Sequence, residues 1–273
     1  MIFQRLIWAG LAVALLVGSV QSGVQQLQAV PIILAAEVFE NQKVEAPESM
    51  GPATAHEHGD ASAAHHHDDA AQAWAPADGA ERIFWTWVAN VLHAFSMALL
   101  VFAVMGLSLA RNSSLRSMVL AAWVAAAGWL TFHFWPSLGL HAEIPGMDAA
   151  RLGSRQAWWV LAAGSAALAC VSLALLRSHW RWLAAAAWLA VPYVVGAPQI
   201  TADPLAGFSG EAQASLRALG QQFIWATTWV SLSFWLSMAV AGGLAFQRWV
   251  RPALLAKLAR PGESAVAAAQ APQ

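Results

Sequence analysis

Apolar and polar residues fall in long blocks along this chain. Six apolar runs, at about 6–30, 83–110, 118–138, 158–176, 182–200 and 223–246, are separated by polar segments. A helix needs roughly 20 apolar residues to cross a hydrocarbon core of about 30 Å, and each run supplies about that many. The pattern predicts an all-α polytopic membrane helical bundle of about six transmembrane helices, or five if the first run is a cleaved signal. In the first run no charge occurs between Arg5 and Glu37, enough for about 46 Å of helix, so an uncleaved anchor is expected. Gln21, Gln25 and Gln28 follow i, i+4, i+7 spacing on one face of it, and Pro31 should break or kink it.

Composition agrees with the pattern. The chain is 59% hydrophobic and 11% charged, against about a quarter charged in soluble domains. Its sixteen tryptophans against one tyrosine suit a membrane-water interface. One cysteine, Cys170, excludes internal disulfides and any multi-thiolate metal site.

Lysine and arginine set the orientation. With a cytoplasmic amino terminus, Arg5, Arg111, Arg116, Arg177, Arg181, Arg248, Arg251, Lys257 and Arg260 lie inside, and Lys43, Arg82, Arg151, Arg155 and Arg217 lie outside. Every acidic residue except Glu263 then falls outside, an arrangement that concentrates cations at the outer face. The expected organisation is a first transmembrane or signal-anchor helix at 1–36, an outer loop at 37–82, a helical bundle at 83–250 and a cytoplasmic disordered tail at 251–273. In a bacterium this is an inner-membrane protein with a periplasmic loop.

That loop holds the densest chemistry. Residues 55–69 carry His56, His58, His65, His66 and His67 with Glu57, Asp60, Asp68 and Asp69, and no Lys or Arg lies between Lys43 and Arg82. Such a stretch has too little apolar surface to fold alone, so it reads either as a solvated linker or as a collector of divalent metal. Imidazole and carboxylate suit zinc, nickel, cobalt and oxidised copper.

Other candidates lie in or near the membrane. Asn90, His93 and Met97 share one face of the second run, as ligands and relay groups or as packing and interhelical hydrogen bonds. His133, beside Trp129, Phe132, Phe134 and Trp135, reads as an aromatic-belt histidine. His141, Glu143 and Asp148, with Glu37 and Glu40, could receive a cation at an outer vestibule. The plainer reading makes Asp148 a helix cap and pairs Arg155 with an acid. The segment 74–82, WAPADGAER, reads as a turn anchoring a helix start. Pro192-Tyr193 and Gly196-Ala-Pro198 interrupt the fifth run, the pattern of a discontinuous helix along a transport path.

Taken in order, QQLQAVPIILAAEVFE (25–40), the histidine-rich loop, WAPADGAER (74–82), LGLHAEIPGM (138–147), RQAWW (155–159) and GAP (196–198) make the chain resemble the cobalt-transporter family CbtA. The resemblance covers nearly the whole chain. It implies a membrane subunit for cobalt uptake, linked to cobalamin synthesis, working with a small single-span histidine-bearing partner, CbtB. The family is often described with five spans and favours histidine after the proline where this chain has Tyr193.

Function follows from these pieces. No GxxxxGK[ST] loop is present to cradle ATP, and neither the serines nor Cys170 has an evident base, so no enzyme is expected. The sequence predicts uptake of a divalent metal, with cobalt favoured by resemblance and nickel or zinc equally compatible with the ligands. The loop would capture the ion, and Gln21, Gln25, Asn90, His93, Met97 and Tyr193 would line the path. A metal-binding store or sensor that conducts nothing is the alternative, and a haem or copper redox protein a weaker one. No resident cofactor and no nucleic-acid partner are expected.

Overall fold

The computed structural model describes residues 2–40, 43 and 76–258. Among these every regular element is a helix. The helices are α1 (Ile2–Gln28), α2 (Val30–Glu40), α3 (Ala80–Arg111), α4 (Ser117–Trp129), α5 (Leu152–Leu175), α6 (Trp180–Val195) and α7 (Gly210–Ala245). α4 runs on through a π-helical turn, Leu130–Phe134, to Ser137, and α7 through a second, Phe246–Val250, to Leu258.

Five of these helices are long and apolar enough to cross a membrane: Ile2–Gln28, Ala80–Arg111, Ser117–Ser137, Leu152–Leu175 and Gly210–Leu258. The fifth of the six expected apolar runs lies outside this set, though it still returns the chain along α5, with Pro192 lying against Trp158. Its helix, α6, has 16 residues, about 24 Å, and ends at Gly196, whose φ of +87° suits glycine best. Pro192 lies within its last turn.

The break before Pro31 occurs as expected. α1 stops at Ala29, where the Ala29 N–H still bonds Gln25 O at 2.9 Å, and α2 begins at Val30. Helix also extends past the 36 and 250 expected as boundaries, to Glu40 and to Leu258. At the far end Leu254 and Leu255 pack on the core and Arg251 donates to Ser113 O at 3.2 Å. The turn before α3 has the expected anchoring role, with Gly79 at φ +91°, Arg82 paired to Asp78 at 3.1 Å, and the Ala77 N–H donating to Glu81 at 3.3 Å.

The central block is α1, α3, α4 and α7. Ala94, Ala98, Val101 and Met105 form one stripe of α3, and they meet Ala9, Val13, Ala14 and Val17 of α1 and Phe234, Met238 and Phe246 of α7. Lipid offers no hydrophobic drive to pair helices, so association depends on close packing, which small residues permit. Gly18 shows this directly: a Cβ there would lie 2.7 Å from Val91 Cα. Gly243 likewise faces Met118 and Ala121, and Gly128 faces the Trp235 ring. α5 and α6 form a hairpin beside this block, docked by aromatic hydrogen bonds: Trp158 Nε1 donates to Pro192 O at 3.0 Å and Trp135 Nε1 to Leu189 O at 3.2 Å. Outward positions such as Leu92, Leu107, Trp123, Val160 and Trp229 are exposed and apolar, as lipid contact requires.

Contacts run antiparallel between α1–α2 and α3, from Gly10 against Phe95 to Glu37 against Arg82, and between α4 and α7, from Met118 against Gly243 to His133 against Thr228. The seven acidic side chains described, Glu37, Asp78, Glu81, Glu143, Asp148, Asp203 and Glu211, therefore lie at one end. A second small core closes that end, with Ala36, Ile144, Leu205 and Leu216 buried together. It forms because α7 is about 74 Å from Gly210 to Leu258, so its first turns stand clear of the apolar run that begins at Phe223.

Candidate functional site

Three places at and below the acidic end concentrate polar chemistry. The first is a seam between α1 and α3. Asn90, 8% exposed, donates from Nδ2 to Ser22 Oγ at 2.9 Å and to Gln25 Oε1 at 2.6 Å. Ser22 in turn donates to Gly18 O at 2.9 Å, and Trp87 Nε1 donates to Ser19 at 3.0 Å. Gln21 Oε1 is buried here and has no hydrogen-bond partner among the described residues. An acceptor left so costs about 1–3 kcal/mol. Of the three glutamines on the expected face, Gln25 meets Asn90 and Gln28 is exposed. Of the other residues predicted from the same α3 face, Met97 packs on the core and His93 lies on an exposed flank, its ring 5.2 Å from Phe234.

The second place is the set of ion pairs around the small core. Glu37 accepts from Arg82 at 3.0 Å, Glu143 from Arg155 at 2.6 Å, Asp148 from Lys43 at 2.6 Å and Asp203 from Arg217 at 2.6 Å. Lys43 also reaches Gly146 O at 3.4 Å and lies over the Phe208 ring. His141, Glu143 and Asp148 therefore do not converge as a vestibule: each acid is committed to a basic partner, and the arginine-acid pairing is the plainer of the two readings. Asp148 does not cap α5, whose N-terminus has no side-chain cap. Among the described residues no three of His, Cys, Asp and Glu are grouped to hold a metal. Glu40 ends α2. His56, His58, His65, His66, His67, Asp68 and Asp69 lie outside the described residues.

The third place is a pocket of about 170 Å³ between α4, α5, α7 and the loop after Ser137. Its polar lining is His133, Ser137, His141, Thr227 and Thr228, with Phe132 and Trp159 as aromatic walls. His133 sits in the π-helical turn, and His133 Nε2 is 3.4 Å from Thr228 Oγ1. Single π turns cluster at functional positions. Pro136, three residues on, lines the same pocket and has no N–H to give the turn. Irregular backbone at membrane depth is tolerated where it lines a cavity.

His133 reads from sequence as an aromatic-belt histidine, and Ser137, Thr227 and Thr228 are the residues sequence reasoning passed over. The available signals were a proline three residues after a histidine inside a helix, and a Thr-Thr pair in an apolar run. Tyr193, expected on the path, donates its hydroxyl to Trp135 O at 2.7 Å and secures the end of α6.

The fold and these places define a polytopic membrane protein whose polar groups lie within and at one end of an otherwise apolar bundle. A family model described as Probable cobalt transporter subunit (CbtA) matches residues 3–247, and the chain belongs to that family. A subunit of a transporter acts on a metal ion as cargo and within an assembly, which accords with the class expected from the sequence. No curated protein and no solved structure matches the chain.

Proposed function

We propose that this protein imports a divalent transition metal, cobalt foremost, across a bacterial inner membrane. It would act with a small single-span subunit bearing its own histidines. The histidines of residues 55–69 collect the ion on the periplasmic side, and polar groups of α1 and α3, with His93 beside them, conduct it inward. One observation carries this reading. In a bundle whose outer face is apolar, Ser22, Gln25 and Asn90 meet between two helices, and Gln21 on the same helix keeps a buried acceptor with no partner among the described residues. Intramembrane polar groups of this kind mark ion pathways.

Voltage supplies the drive. A divalent cation moving inward across 100 mV, negative inside, gains roughly 4 to 5 kcal/mol, at about 2.3 kcal/mol per charge. The acidic end gathers the seven described carboxylates, and a field of that sign raises the local cation concentration. Nickel would share the site, because nitrogen and oxygen ligands rank the late divalent metals in one common order.

The test is uptake of radiolabelled cobalt and nickel by cells expressing the wild-type chain or the chain with His65, His66 and His67 replaced by Ala. Uptake should fall severalfold in the variant and collapse in both when the membrane potential is dissipated. Unchanged uptake in the variant removes the loop from the mechanism. Uptake indifferent to potential removes the voltage drive.

A further inference from the structure

We infer that the pocket at the π-helical turn of α4 is a divalent-metal binding site, with His133 and His141 as its nitrogen ligands. It rests on the uptake reading above only in taking the cargo metal as its occupant.

Two imidazoles from separate segments reach one cavity. His133 comes from the π turn and His141 from the loop eight residues on, and both line the same 170 Å³. A water's share of liquid volume is about 30 Å³, so the pocket has room for a metal ion with several of its waters. Ser137, Thr227 and Thr228 line the same space with hydroxyls that can bond those waters.

The hydrogen bonds around His133 set its ligand atom. Thr228 has one hydroxyl proton, and it donates that proton to Ile224 O at 2.8 Å. Toward His133 Nε2, 3.4 Å away, Thr228 can therefore only accept. Nε2 then carries the imidazole proton, and Nδ1 keeps its lone pair for a metal. A metal-binding histidine whose second nitrogen donates to a neighbouring oxygen is the usual arrangement for such ligands. His141 has no hydrogen-bond partner among the described residues, so its nitrogens are uncommitted.

The donor set also selects. Among the described residues no carboxylate lines the pocket, and Glu143 is paired to Arg155 and Asp148 to Lys43. Magnesium and calcium require oxygen ligands, whereas neutral imidazole suits zinc, copper, nickel and cobalt. Two nitrogens with water in the remaining positions hold an ion loosely, and a transit site must release what it binds.

The test uses the full-length protein in detergent, with His56, His58, His65, His66 and His67 replaced by Ala so that the loop supplies no imidazole. The probe is Co²⁺ alone, followed by equilibrium dialysis and by its visible absorption. This background protein should bind Co²⁺, and excess Mg²⁺ should not displace it. His133→Ala, His133→Gln and His141→Ala should each weaken binding at least about tenfold, the least that even an outer partner of a ligand is worth. His133→Gln keeps a donor for Thr228, so its loss of binding is not a packing defect. His179→Ala, at the opposite end, should bind as the background does.

No binding by the background protein, or binding unchanged by substitution of both histidines, overturns the site. Uptake is scored separately. Lost potential dependence with pocket binding intact counts against the uptake reading alone, and normal uptake without pocket binding counts against the pocket alone.

Discussion

The seam and the pocket are both polar places in an apolar bundle, and they differ in what their groups have left over. At the seam Asn90 uses both Nδ2 protons on α1, and Ser22 passes its own to Gly18 O. Nearly everything is satisfied, and only Gln21 Oε1 stays open. In the pocket the ordering is reversed. Thr228 is satisfied by Ile224 and fixes His133, while His141 is left with both ring nitrogens. Polar groups that satisfy one another hold helices together, and those with spare valence are available for chemistry.

Substitution can separate the two. The largest effect is expected at Gly18→Leu. The new Cβ would meet Val91 backbone at 2.7 Å, which cannot rotate away, so α1 and α3 must part. A loss of about 3 kcal/mol should appear in unfolding from detergent, and a wild-type transition would show that the seam is not a close contact. Next is Thr228→Val. It removes the acceptor that orients His133 and should cut Co²⁺ affinity of the loop-substituted protein about tenfold, at nearly unchanged thermal stability. If stability falls and affinity does not, the threonine belongs with the seam's kind of polar group. The smallest is Asn90→Ala, which deletes two interhelical hydrogen bonds. Such bonds average about 0.6 kcal/mol in a membrane, so stability should drop by about 1 kcal/mol, and a drop of several would mark the seam as the bundle's main fastening.

Much of the seam was legible. The i, i+4, i+7 glutamines and the Asn90 face both follow from 3.6 residues per turn, and the two faces touch at Gln25 and Asn90. Helix α3, expected over 83–110, runs Ala80–Arg111, because a hydrophobic run and a transmembrane helix have the same cause. The start of α7 was not legible from the same signal. Hydropathy marks only the apolar part of a helix, and Gly210–Gln222 is helix that precedes the apolar run, capped by Ser209 accepting from Ala212. Pairing of Arg155 with an acid is one of two readings of the sequence, but its partner and the Lys43–Asp148 pair escaped for a different reason. Glu143 and Asp148 look like cation ligands in isolation, and only proximity to Arg155 and Lys43, one of them 105 positions away, commits them elsewhere.

By itself the sequence determined the membrane class, the alternation of apolar helices, the gathering of acids at one end and the polar faces of α1 and α3. These depend on composition and short-range periodicity, which any reader of the chain possesses. Tertiary structure alone decided that Asp148 is neutralised by Lys43 and that His133 shares a cavity with His141. An ion pair such as Lys43–Asp148 and a cavity such as this one arise where separate segments close on one another, and no local pattern encodes that meeting.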